Sequence, residues 1–241
     1  MENQFIRTEL IYGKAAIDKV KKAHVIVFGV GGVGGYVCEA LARSGVGSFT
    51  LVDNDVVAIS NINRQIIATY DSLGKYKVDV MKDRILSINP NANVEVRKCF
   101  FLPENSNEFD FSEYDYVIDA IDTITAKIAL VIKSNEANVP IISSMGTGNK
   151  LNPMGFIVAD INKTEMDPVA KVMRRELRKR GIKKLKVVYS KEEPVEPQSN
   201  CDLSFDSASN KKRSTPGSSA FVPSAAGLLI ASEVFKDLIN K

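Results

Sequence analysis

Five glycines within seven positions, Gly29, Gly31, Gly32, Gly34 and Gly35, and an aspartate, Asp53, roughly 20 residues beyond the turn, are groups that could hold a nucleotide. Gly29 can take a positive φ. Gly31 lets backbone approach a phosphate with no Cβ in the way, and Gly34 lets the next helix pack close to the strand before it. With Gly32 these form the candidate phosphate cradle. A helix starting at Gly34 would direct free N–H groups and its positive dipole end at the anion. The Asp53 carboxylate can accept hydrogen bonds from ribose hydroxyls. A nicotinamide cofactor would satisfy all of this as well as ATP, so the choice falls to residues downstream.

Those residues are Asp55 in VDND, Asn61, Arg64 and Gln65 in SNINRQ, Lys77 in GKYK, and Asp122 in DAID. The pyrophosphate of a nicotinamide cofactor needs little more than backbone amides and one helix end. ATP bound for adenylyl transfer brings a triphosphate and a metal, and these call for further positive partners. Arg64 offers a planar fork to two phosphate oxygens, and Lys77 a point charge. Asp122 ends a strand, where ligands bind in open α/β sheets, and could hold Mg²⁺, an ion that takes one or two carboxylates plus phosphate oxygens. Asn61 could bridge to phosphate or ribose.

In this order the motifs resemble the superfamily of ubiquitin-activating-like adenylyltransferases, whose bacterial members activate sulfur-carrier proteins or modify transfer RNA. The resemblance covers roughly the first two thirds of the chain and implies ATP and Mg²⁺ at Asp53, Asp55, Asn61, Arg64, Gln65, Lys77 and Asp122. It also implies that Arg7 reaches across a homodimer into the partner's site. The early NINRQ, the lack of CxxC pairs, the stretch after GTGNK and a DP motif opening a basic helix look most like the tRNA threonylcarbamoyladenosine dehydratases. That branch cyclises the threonylcarbamoyl group on adenosine 37 of transfer RNA by adenylating its carboxylate, releasing AMP and pyrophosphate. It implies Arg64, Lys77, Asp122 and Arg7 as catalytic groups and transfer RNA as partner. Two alternatives stay open. One is an adenylyltransferase for the C-terminal glycine of a ubiquitin-like sulfur carrier of the molybdopterin or thiamine type, partnered by a carrier or sulfur-transfer protein. The other is a nicotinamide-dependent oxidoreductase or a catalytically silent nucleotide sensor.

The elements that must position these residues alternate. Strands are expected at Val25–Phe28, Ser48–Val52, Val94–Lys98, Tyr116–Ala120 and Ile141–Ser144, and helices at Gly34–Ala42, Lys75–Ile88 and Ala126–Asn138. Such alternation predicts an α/β, Rossmann-like, mostly parallel sheet with helices on both faces. Gly155–Ile161 and Leu185–Tyr189 read as antiparallel additions in the C-terminal part, VPSAAGLLIASEVFKDLINK as a closing helix, and FIRTELIYGKAAIDKV as helical. The whole chain, 1–241, reads as one domain, with a mobile segment or crossover loop over Lys191–Ser219.

Between the late strands, DPVAKVMRRELRKRG predicts a helix with Asp167 as N-cap and Gly181 at its exit. Lys171, Arg174, Arg175, Arg178 and Lys179 fall on one face; Val169, Val172, Met173 and Leu177 lie opposite. This basic face is a candidate RNA-backbone footprint or a solvated helix surface, since the net charge is only +3. Cys38, Cys99 and Cys201 stand apart and His24 is the single histidine, so no zinc site of known spacing can be built. Cys38 and Cys99 read as core residues; Cys201 reads as a loop thiol or, as the resemblance allows, as the thioester-forming cysteine that some superfamily members carry in such a region. With no long apolar run and no secretory signal, a cytoplasmic location is expected.

Overall fold

The computed structural model describes residues 3–198 and 216–240. Its centre is a seven-stranded sheet in the order β3-β2-β1-β4-β5-β7-β6. The strands are β1 (His24–Phe28), β2 (Ser48–Val52), β3 (Asn93–Arg97), β4 (Tyr116–Asp119), β5 (Ile141–Ser144), β6 (Phe156–Asp160) and β7 (Lys186–Ser190). Six run parallel; β6 alone is antiparallel, to β7. The late strands thus form the expected antiparallel pair, and β7 also joins the sheet parallel to β5.

Buried on both faces, β1 reads as a continuous apolar run because its side chains feed two cores. Val25 and Val27 face one core, with α3 (Gly34–Arg43), α4 (Lys77–Ile88) and α7 (Phe221–Asn240). Ile26 and Phe28 face the other, with α5 (Ile124–Glu136) and α6 (Pro168–Lys179). Phe28 there meets Phe101, Phe109 and Phe111 at ring distances of 4.8, 5.5 and 6.0 Å. Burying this cluster contributes at roughly 25 cal/mol per Å² of apolar surface, and so anchors the strand that carries the glycine turn.

After β3 the chain returns to lay β4 on the other side of β1. The sheet therefore has its topological switch point between β1 and β4, where a crevice opens beyond the strand ends.

Some boundaries differ from the sequence reading. α4 starts at Lys77 rather than Lys75, because Val56 and Tyr76 form an antiparallel bridge and the Lys77 N–H bonds the Asp55 carbonyl. α5 starts earlier than expected and ends at Glu136, close to Asn138, which takes φ +56. The N-terminal stretch divides into α1 (Ile6–Tyr12) and α2 (Lys14–Val20) at Gly13, whose φ of +83 breaks the helix. Of the 191–219 segment, residues 191–198 and 216–219 carry no helix or strand. Cys201, Lys211, Lys212 and Arg213 lie outside the described residues. No helix among the described residues is long and apolar enough to cross a membrane.

Candidate nucleotide site

The turn after β1 is built as its glycines require. Gly29 has φ +88, and a Cβ there would lie 2.7 Å from the Ala120 carbonyl oxygen in the loop after β4. On Gly34 a Cβ would collide with the Gly29 carbonyl oxygen. Gly31 differs: nothing stands nearer than the Gln65 Nε2, 3.8 Å from where its Cβ would be, so the space before it is open to a ligand. The N–H groups of Gly31, Gly32 and Val33 donate to no atom among the described residues. They sit just before the first turn of α3, where unsatisfied donors and the helix dipole favour an anion.

Asp53 directly follows β2 and closes this turn. Its Oδ2 accepts the Val30 N–H at 2.7 Å and its Oδ1 the Asp55 N–H at 2.9 Å. Burial pushes its carboxyl up from the ordinary aspartate range; the Lys77 charge and the two backbone donors offset only part of that. The turn thus already occupies one lone pair on each oxygen, and a ribose hydroxyl would have to bond the others.

Lys77 is buried at the start of α4, and its Nζ lies 2.6 Å from Asp55 Oδ2. The two are also joined through backbone, Lys77 N–H to Asp55 C=O at 3.0 Å. Asp55 thereby acts as a holder of the cation.

The SNINRQ segment forms a 3₁₀ turn at Ile59–Asn61 that delivers Arg64 and Gln65 over the glycines. The Asn61 Oδ1 accepts the Ala58 N–H at 3.0 Å, which fixes the turn and leaves its Nδ2 and one Oδ1 lone pair for a ligand. Arg64 passes across Gly32, its Cγ 3.6 Å from where that residue's Cβ would be. Its Nη1 donates to the Ser60 carbonyl at 2.9 Å and to Asn63 Oδ1 at 3.0 Å, and partial burial draws its pKa down. Gln65 is buried with its Oε1 lacking a partner among the described residues, and its amide lies beside Gly31. Asp122 is exposed in the loop after β4, two residues beyond the Ala120 that meets Gly29, and among the described residues it touches only the Thr123 hydroxyl, at 3.4 Å.

Arg7 stands apart from this cluster, exposed on α1 with Leu10 and Ile11, which are 81% and 77% exposed. Cys38 is fully buried, and burial pushes its thiol up, away from reactivity. Cys99 is half-buried and shifted the same way by burial. Among the described residues no three His, Cys, Asp or Glu side chains gather as a metal cage.

On α6 the Asp167 Oδ1 caps the helix by accepting the Ala170 N–H at 2.9 Å, as expected. Lys171, Val172, Arg174, Arg175, Arg178 and Lys179 line an open groove of ≈ 460 Å³. Two expectations need correction. Val172 belongs to the basic side, and Arg174 is turned inward, its Nη1 donating to the Thr164 carbonyl at 2.8 Å. Glu176 sits between Arg175, Lys179 and Arg180 at 3.0–3.1 Å, and those cations pull its carboxyl down to about 2. Lys171 and Arg178 have no partner among the described residues.

Sequence reasoning missed the residues that frame the site. The Lys127 ammonium, 1% exposed, lies 2.8 Å from the buried Asp119 at the end of β4. Lys150 and Asp167 form a second buried pair. Asn63 joins Arg64 to the chain entering α7 by donating its Nδ2 to the Ser218 carbonyl at 3.0 Å. Nothing in composition marks a lysine as buried; the signal available was position, since each stands inside or just after a motif already singled out.

Residues 3–241 match the model of the ThiF family. The tRNA threonylcarbamoyladenosine dehydratase of Bacillus subtilis is 46% identical over 244 residues, spanning 100% of this chain and 96% of the relative. The Escherichia coli enzyme of that name is 35% identical, over 99% of this chain and 94% of its own. Crystal structures of the Escherichia coli enzyme with AMP and with ATP superpose at a TM-score of 0.88, each covering 98% of this chain and 94% of that one, at 35% and 33% identity. By matched length, identity and fold together, this chain belongs to the ThiF family.

Proposed function

We infer that the chain is an ATP-dependent tRNA threonylcarbamoyladenosine dehydratase, formed by one adenylyltransferase domain. The reading rests on full-length similarity to dehydratases and on one observation in particular. Arg64 passes across a glycine turn whose Gly31, Gly32 and Val33 N–H groups have no partner among the described residues, and Lys77 is close enough to Asp53, which closes that turn, for its charge to oppose the rise of that carboxyl.

The reaction explains the need for both cations. A carboxylate cannot expel oxide at neutral pH, so one of its oxygens must first become part of a leaving group. The substrate carboxylate attacks the α-phosphorus of ATP, and the bond to pyrophosphate breaks. The carbamoyl group of the same side chain then closes on the activated carbonyl, and AMP carries the oxygen away. The turn amides, Arg64 and Lys77 stabilise charge developing on the phosphates. Ring closure needs no cysteine, because both reacting groups sit on one side chain and proximity supplies the advantage.

Mg²⁺ fits this site as an ion held mainly by phosphate and water. Among the described residues Asp122 is exposed with one weak contact, and no richer cage competes for the ion. When bound, Mg²⁺ would neutralise phosphate charge. Transfer RNA would lie along Lys171, Arg175, Arg178 and Lys179 of α6, with Arg174 bracing the helix from within.

A homodimer completes the proposal. α1 buries none of its residues and exposes Leu10 and Ile11 beside Arg7, as a helix awaiting a second copy would. The direct test of the function is AMP and pyrophosphate release from ATP. Threonylcarbamoylated transfer RNA should stimulate it, and a ubiquitin-like carrier with a C-terminal glycine should not; the reverse pattern would overturn the reading.

A further inference from the structure

Lys150 is a buried ammonium that no motif predicted. Its side chain is 1% exposed, and its Nζ donates to Asp167 Oδ2 at 3.3 Å, the Ser190 carbonyl at 3.1 Å and the Glu192 carbonyl at 3.3 Å. All three of its N–H bonds are used, and the acceptors belong to two stretches of chain, the start of α6 and the end of β7. Asp167 caps α6, Ser190 ends β7, and Glu192 opens the segment after it.

The loop that carries Lys150 follows β5 at the rim where the strand ends open, the same rim as the glycine turn after β1 and the Asp122 loop after β4. Gly146 of this loop is so close to Asp167 that an added Cβ would lie 3.4 Å from Oδ2. A second tie runs parallel: the Glu192 carboxylate accepts the Leu151 and Asn152 N–H groups at 2.9 and 3.0 Å. The start of the basic helix is therefore fixed to the site's rim through the buried Lys150–Asp167 pair, and the same loop is fixed to the end of β7 through Glu192.

Burying a lysine and an aspartate is a poor way to gain stability, because well-packed apolar residues of similar volume commonly do as well or better. What such a pair can supply is a defined geometry, since its directional bonds are satisfied in one arrangement.

We propose that Lys150 is a positioning residue that sets the register of α6 against the nucleotide rim. Through it, a substrate held on the basic face and the phosphates held by the glycine turn keep a fixed separation. This rests on the dehydratase reading, in which a carboxylate on RNA must meet the α-phosphorus of ATP. A misplacement of about 1 Å in such a step can cost roughly 100-fold in rate.

The test compares the full-length protein with Lys150→Met and with Lys150→Met/Asp167→Asn, in which asparagine keeps the helix cap and no charge is left buried alone. Melting temperature, ATP affinity, kcat on threonylcarbamoylated transfer RNA, and amide exchange over residues 146–152 are measured. We expect the double variant to melt like the native protein and bind ATP within about twofold of it. Its kcat should fall by about 10- to 100-fold, and its 146–152 amides should exchange faster. Recovery of kcat together with melting temperature would show the pair to be merely structural and overturn the proposal, as would unchanged exchange. If Lys150→Met alone does not fold, the double variant decides. If the native protein does not turn over transfer RNA, the dehydratase reading fails, and the exchange data still judge Lys150.

Discussion

The Lys77 ammonium and the Asp55 carboxylate meet at 2.6 Å, one buried and the other 57% exposed, so the cation is held at the mouth of the site by a partner that remains in solvent. A triphosphate can take over that cation without stranding a buried carboxylate, since water can solvate Asp55.

Lys77→Ala should therefore reduce kcat/KM for ATP by about 100-fold or more, as removal of a preorganised charge partner does, with the sheet intact by circular dichroism. Turnover within a few-fold of native would remove Lys77 from the mechanism.

The same variant changes a titration. The Asp53 carboxyl is raised by burial and drawn back by Lys77, so losing Lys77 should raise it further, readable by carboxyl NMR. The sign for stability follows. With a folded value above the unfolded one, the native state holds the proton longer. Asp53's contribution is thus greatest below the ordinary aspartate range and declines as pH rises through the folded value. In Lys77→Ala that decline should extend to higher pH; a melting profile parallel to the native one would contradict the assigned coupling.

Two neighbouring glycines should behave in opposite ways. A Cβ at Gly34 collides with the Gly29 carbonyl, so Gly34→Ala should cost about 2–3 kcal/mol in denaturant unfolding. At Gly31 the nearest atom is 3.8 Å away, so Gly31→Ala should keep native stability and lose ATP binding. Equal destabilisation by both would mean that Gly31 serves packing alone.

The basic helix makes a prediction that depends on salt. Lys171→Ala/Arg175→Ala/Arg178→Ala should weaken transfer RNA binding and reduce the slope of log K against log salt by up to about 0.7–0.9 per lost phosphate contact, leaving ATP affinity unchanged. Arg174→Ala alone should act through stability instead, because its guanidinium bonds Thr164. An unchanged slope in the triple variant would return α6 to a solvated face.

How far the sequence anticipated all this depends on how local the signal was. Strand β1, its glycine turn and Asp53 were legible because each demands a residue type: β-branched side chains for burial on two faces, glycine for φ +88, an acid to close the turn. The SNINRQ and GKYK cations were legible as charges near phosphate. That Lys77 begins α4 already paired to Asp55 was not, since this follows from the Val56–Tyr76 bridge, a contact between segments about twenty residues apart. The division of Arg174 from Arg175 on α6 was equally hidden. Helical spacing places both on one face, and only the packing of Thr164 turns one of them inward.

Arg7 offers a test of assembly. If it acts in the partner's site, mixing inactive Arg7→Ala with inactive Lys77→Ala should restore activity, because a mixed dimer holds one site with both groups intact. No rescue, or a fully active monomer by light scattering, would contradict the homodimer.

The most direct measurement of the central claim is the mass of the modified nucleoside after threonylcarbamoylated transfer RNA is incubated with the protein and ATP. Loss of one water, matched mole for mole by AMP and pyrophosphate, is the predicted result. ATP bound tightly while the nucleoside keeps its full mass would contradict the account.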